Sequence, residues 1–174
     1  MIAAIRRIRQ GIRAIVSPAL HIDYEMASRF LSPQQMSLFR RMQRSEQLHS
    51  LSVLRSVLAQ GETSSDLAVA ALLHDIGKVT YPMRIWQKTL VVLVRRMLPD
   101  MHQRWSKGNI QNRFKQASIV AVHHPQWSAQ IMKTNGASDA TVWLIEHHAD
   151  AAAQWRSHPC YEALVRLKTA DDQN

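Results

Sequence analysis

Residues 72–79 read LLHDIGKV, and the organisation of the chain follows from how that stretch ends a helix. Asp66 to Ile76, DLAVAALLHDI, is a mostly apolar segment, with Ser64 or Ser65 as candidate N-cap and Gly77 as candidate C′ residue. His74 and Asp75 then fall in its last turn, where side chains from a buried helix reach a cleft. A His-Asp pair at a helix end is, by itself, usually just a hydrogen-bonded pair.

The other histidines change that reading. Nine are present: His21, His49, His74, His102, His123, His124, His147, His148 and His158. Several lie in apolar helical segments, where an imidazole has no packing advantage over leucine and each ring must find polar partners. A shared metal supplies one partner to all of them.

The chain has 174 residues, enough for one domain with a sizeable core, and 46% hydrophobic content excludes a disordered chain. Five glycines, six prolines and few alternating polar and apolar runs predict an all-α protein. Cys160 is the single cysteine, which rules out disulfides and a Cys-rich zinc site and makes a reducing, cytoplasmic setting the expectation. No apolar run, Leu90 to Val94 included, is long enough to span a bilayer. A net charge of +9 points to an anionic partner without choosing among nucleotide, nucleic acid and lipid.

Residues 1–16, MIAAIRRIRQGIRAIV, place Ile2, Ile5, Ile8, Ile12 and Ile15 opposite an arginine face. That amphipathic helix either packs on the domain, the outcome expected here, or makes peripheral contact with an anionic membrane. A helix follows from Ser32 as N-cap and Pro33 at N1, then one through SEQLHSLSVLRSVLAQG that stops at Gly61 and holds His49 inward. The segment 80–108 contains a further helix, MRIWQKTLVVLVRRML, between Pro82 and Pro99. Three short helices are predicted next: NRFKQASIVAVHH ending at Pro125, PQWSAQIMKTNG stopping at Gly136, and SDATVWLIEHHAD with Ser138 as N-cap. The last runs from about Tyr161 to Ala170.

In order, the polar residues of these helices are His49, His74-Asp75, His124 before Pro125, His147-His148 and Asp171. With "HSLSVL", "LLHDIGK", "HHPQWSAQIM", "WLIEHHAD" and "LKTADD", this order resembles the HD superfamily of metal-dependent phosphohydrolases, in the branch with extra histidines that includes the HD-GYP phosphodiesterases. The resemblance spans about residues 45–172 and implies an HD-domain helical bundle over 45–174, preceded by a helical extension over 1–44 and carrying an inserted helix at about 80–108.

The resemblance also implies a site. His49, His74, Asp75 and Asp171 would hold one metal, His124, His147 and His148 would serve a second, and Asp75 would bridge them. Imidazole with carboxylate and no thiolate suits Fe, Mn, Zn or Ni better than Mg. Adjacent helix positions diverge by about 100°, so a doublet suits two neighbouring ions. Two ions ~3.5–4 Å apart share an activated hydroxide and support in-line hydrolysis of a phosphoester, here expected to be a nucleotide or cyclic nucleotide. Lys78 would contact a non-bridging phosphate oxygen, or else lie solvated near a helix C-terminus.

Three features depart from the HD-GYP pattern. The interval from His74 to His124 (124 − 74 = 50 residues) is longer, no Gly-Tyr-Pro tripeptide occurs, and Ser45 stands four residues before His49, where trinuclear members carry Glu. Cyclic di-GMP is therefore not implied. His123 is read as core or as a residue behind the ligands, and His21, His102 and His158 as ordinary structural or surface residues. Two alternatives stay open: a mixed-valent di-iron oxygenase, as in a minority of HD proteins, and a non-catalytic metal-binding signalling domain.

Overall fold

A segment of Ala, Leu and Val with apolar residues on every side of the helix has to be covered on every side. In a computed structural model that describes residues 20–174, this segment is the central helix, and the helix expected over residues 1–16 lies outside the described residues. In chain order the elements are α1 (Tyr24–Ser28), α2 (Pro33–Arg41), α3 (Arg44–Ala59), α4 (Ser65–Leu73), a 3-10 turn (Ile76–Thr80), α5 (Ile85–Met97), α6 (Pro99–Ser106), α7 (Arg113–Thr134), α8 (Asp139–His147), a second 3-10 turn (Ala152–Trp155) and α9 (Tyr161–Gln173). No strand occurs among them, and the fold is the all-α bundle expected.

Every residue of α4 from Leu67 to Leu73 is buried. α2, α3, α8 and α9 surround it, and Phe39, Leu54, Met132, Ile145 and Leu164 complete the core they share. Residues ahead of position 45 belong to this same core through Ile22, Ala27, Leu31 and Leu38. The helix starts follow their caps. Ser32 accepts from the Gln35 amide while Gln35 bonds back to the Ser32 amide, Ser64 accepts from Leu67, and Ser138 accepts from Thr141. Gly61 (φ 119°) and Gly136 (φ 73°) follow α3 and α7 in the left-handed region that glycine alone enters without strain.

Three expectations need correction. Pro125 does not end a helix: α7 runs through it for 22 residues. Proline removes an amide donor and opposes the carbonyl one turn back, but packing of α7 against α8, the first 3-10 turn, α6 and α5 outweighs that local penalty. Gly77 is not a left-handed C′ residue. It lies within the 3-10 turn, and a Cβ there would meet the His124 carbonyl oxygen at 2.5 Å and the Ser128 amide nitrogen at 2.7 Å. Close approach of two backbones demands this glycine, not a positive φ. The segment 80–108 contains two helices, because Pro99, fit for a helix N1 position, opens α6 as soon as α5 ends.

α5 and α6 both pack on α7. Leu93 and Met97 of α5 are exposed, and Trp86 at its start packs edge-on against Phe114 of α7. No described helix is long and apolar enough to cross a membrane, and Cys160 is a free thiol.

Candidate metal centre

The end of α4 delivers the doublet to the middle of the bundle. His74 is its C-cap, and Asp75 leaves the helical path at φ −97°, ψ 4°, so the two side chains diverge into one cavity. α3 supplies His49, α7 supplies His124, the C-terminus of α8 supplies His148, and the last turn of α9 supplies Asp171.

These six side chains converge. His49 Nε2 lies 2.9 Å from Asp171 Oδ1 and 3.9 Å from Asp75 Oδ2. His74 Nε2 lies 3.5 Å from Asp75 Oδ2 and 3.7 Å from Asp171 Oδ1. On the other side of Asp75, His124 Nε2 approaches Oδ1 at 3.2 Å and His148 Nε2 at 3.2 Å. Three overlapping groups bring their ligand atoms within 4.8 Å of one another: His49, His74 and Asp75; His74, His148 and Asp171; and Asp75, His124 and His148. Asp75 offers one oxygen to each side.

The remaining ring nitrogens show what the cluster is built to hold. His74 Nδ1 faces the Ala71 carbonyl at 3.1 Å, His124 Nδ1 the Val120 carbonyl at 2.9 Å, and His148 Nδ1 the Ile145 carbonyl at 2.7 Å. A carbonyl only accepts, so each Nδ1 carries the proton and each neutral ring turns an Nε2 lone pair inward. Two such lone pairs then face each other across the 3.2 Å between His124 and His148. His74 Nε2 is buried with no hydrogen-bond partner. Acceptors gathered around two carboxylates, with an orphaned buried nitrogen among them, fit divalent cations.

Charge agrees with this. Burial pushes His148 down to about 3, so its ring is neutral at pH 7. Burial likewise lowers His74. Burial alone would raise Asp75, but the charges around it, the Lys78 ammonium first among them, hold its carboxyl well below the ordinary range. Asp171 is also held low: burial would raise it, but the His49 hydrogen bond together with the neighbouring charges overrides that. For His49, burial is overridden by Asp171 and the ring is raised.

The metal-free protein should therefore lose stability as the pH falls. The unfolded chain protonates His148 and His74 near the usual histidine value while the folded chain does not, so it binds more protons below that value and stability rises with pH. His49, with its raised value, acts in the opposite sense. Urea unfolding of chelated protein at pH 7 and pH 5 is expected to show a loss on the order of 2 kcal/mol, from His148 with His49 partly offsetting. Equal or greater stability at pH 5 would contradict this.

The other residues singled out in the sequence stand apart from the cluster. His147 Nδ1 is 2.8 Å from Asp150 Oδ2, and its ring lies between Trp143 and Trp155, outside all three ligand groups. His123 donates to the Ser106 carbonyl at 3.2 Å and stacks on Trp127, so of the two adjacent histidines it is His124 that enters the cavity. His102 bonds Ser118, and His158 stacks face to face on Trp143 at 3.6 Å.

Lys78 is not a free cation. Its Nζ bonds Asp75 Oδ2 at 2.7 Å and lies 3.7 Å from Glu46 Oε2. Burial would lower the ammonium, but Asp75 and Glu46 override it and raise the value, so the side chain is a fixed cation. Glu46 was missed by sequence reasoning, although it stands one helical turn before His49 on α3, a spacing that puts it on the same face. It is buried, and Lys88 of α5 bonds its other oxygen.

Comparison with known proteins accords with this geometry. The family model described as HD domain matches residues 38–171. No curated protein and no solved structure gives a significant match.

Proposed function

The chain belongs to the HD domain family, and from that premise we propose that it is a metal-dependent phosphohydrolase acting on a phosphoester, a nucleotide or cyclic nucleotide, at a dinuclear centre. The observation that carries this reading is the inward convergence of Nε2 atoms on the two oxygens of Asp75, with each Nδ1 tied to a backbone carbonyl.

His49, His74, Asp75 and Asp171 would hold one ion, and His124, His148 and Asp75 the other. His147 would stand one step outside, keeping the end of α8 in place through Asp150. Bound divalent ions supply Lewis-acid charge and acidify water at neutral pH. The chain's own contribution is orientation. Asp75 fixes the separation of the two ligand groups, and the backbone carbonyls of Ala71, Val120 and Ile145 hold the rings in one tautomer. Lys78, a fixed cation beside Asp75, would pair with a non-bridging oxygen of the phosphate and neutralise charge that grows as the bond breaks.

The test is metal analysis of protein purified without added metal, followed by product analysis for hydrolysis of cyclic dinucleotides, cyclic mononucleotides and nucleoside monophosphates: ring-opened nucleotide from the cyclic substrates, inorganic phosphate from the monophosphates. Stoichiometric Fe, Mn, Zn or Ni with hydrolysis supports the proposal. Iron with oxygen uptake and no hydrolysis would replace it by the oxygenase alternative, and absence of bound metal would overturn it. Chelation is expected to lower the unfolding free energy by about 3 kcal/mol relative to protein held at a metal concentration ~100 times the dissociation constant.

A further inference from the structure

Beside the ligands lies a cluster that metal binding does not explain. Glu46 is buried between two ammonium groups: Lys78 of the first 3-10 turn reaches Oε2, and Lys88 of the inserted α5 bonds Oε1 while donating to Ser45 Oγ at 3.0 Å. Opposite oxygens of one carboxylate thus hold the two cations side by side. They also form the more exposed edge of the cluster. The side chains of His74 and Asp75 are 1% and 2% exposed and form the floor, whereas those of Lys78, Lys88 and Asp171 are 24%, 27% and 30% exposed. Both lysines therefore belong to the mouth.

Counting charge shows what this mouth requires. Without metal, Lys78 and Lys88 are balanced by Asp75 and Glu46. When Asp75 is committed to divalent ions, two ammonium groups are left to one carboxylate, and the mouth carries surplus positive charge next to more positive charge. A single phosphate held over the ions and Lys78 leaves Lys88 without a new anionic partner. A second phosphate on the same substrate supplies one.

We propose that Lys88, positioned by Glu46 and Ser45, is a specificity-determining residue that selects phosphoesters bearing a second phosphate group. The proposal rests on the phosphohydrolase reading above and names the substrate class of that same site. It also gives the insertion a role, since α5 carries Lys88 to the metal centre. Glu46 acts through the lysines and is a positioning residue.

The experiment measures binding by calorimetry to the full chain loaded with Mn2+, with free Mn2+ matched in both solutions. The probes are inorganic phosphate and methylenediphosphonate, a non-hydrolysable pair of phosphates. The wild-type chain is expected to bind the diphosphonate about tenfold more tightly than phosphate, the effect of one added charge-assisted contact. In Lys88→Met that ratio should fall to about one, and Lys88→Arg should retain it. A wild-type ratio near one, or a Lys88→Met chain that keeps the preference, overturns the inference and leaves the phosphohydrolase reading standing. If phosphate itself fails to bind, both fall. Should Lys88→Met not fold, the wild-type ratio and Lys88→Arg still decide the matter.

Discussion

Replacing Asp75 with alanine is expected to abolish retention of both ions, whereas replacing His124 is expected to remove only one. Asp75 presents Oδ2 to the side of His49 and His74 and Oδ1 to His124, so its loss empties both ligand groups that contain it. Metal content per chain should fall from about two ions to near zero in Asp75→Ala, and to about one in His124→Ala. Hydrolysis should drop further in the former, by about 10³-fold, which corresponds to roughly 4 kcal/mol of transition-state stabilisation. Asp75→Ala also strips Lys78 of its 2.7 Å partner and leaves it only the 3.7 Å contact with Glu46, which destabilises the fold in its own right. Asp75→Asn separates the two effects, because the amide keeps the shape and one acceptor oxygen but gives up the charge. Equal metal loss in His124→Ala and Asp75→Asn would argue against a bridging carboxylate.

The parts of this site that the sequence discloses are those set by neighbours along the chain. His74 and Asp75 occupy the end of α4 because the run before them is apolar throughout and Ser64 fixes where it starts. His49, His124, His148 and Asp171 enter the cavity from helices whose order and inward face are legible as motifs. What escapes is decided between residues distant in sequence. Pro125 reads as a stop because the local rule is correct, and only the packing of α7 on four other elements reverses it. Lys88 and Glu46 are 42 residues apart, and no periodicity in α5 announces that its single lysine will reach the carboxylate beside the ligand cluster. His147 and His148 are adjacent, and nothing about the doublet says which one turns inward. The carboxylate three residues beyond His147 carried that information, since Asp150 captures its ring.

Gly77→Ala tests how tightly the centre depends on such a distant contact. The 3-10 turn packs on α7, and the Gly77 amide donates to Ser128 Oγ at 2.8 Å. An alanine Cβ would meet the His124 carbonyl oxygen at 2.5 Å and the Ser128 amide nitrogen at 2.7 Å. Both belong to the backbone of α7, so no side-chain rotation relieves them and the turn must move away from the helix. That movement separates Asp75, two residues before Gly77, from His124, whose ring leaves α7 at the point of contact. Two losses are expected together: about 3 kcal/mol of stability in urea unfolding of metal-free protein, the upper end of the usual range for overpacking, and loss of the ion held between Asp75 and His124. Gly108→Ala is the control, because its shortest Cβ contact would be Lys115 Cδ at 2.8 Å, in a flexible side chain that can swing aside, and its nearest backbone atom, the Trp105 carbonyl oxygen, lies farther off at 3.1 Å. A smaller loss there, with metal content unchanged, is the expected contrast. If Gly77→Ala matches the wild type in stability and still binds two ions, the spacing between the 3-10 turn and α7 is not what sets the distance across the metal centre.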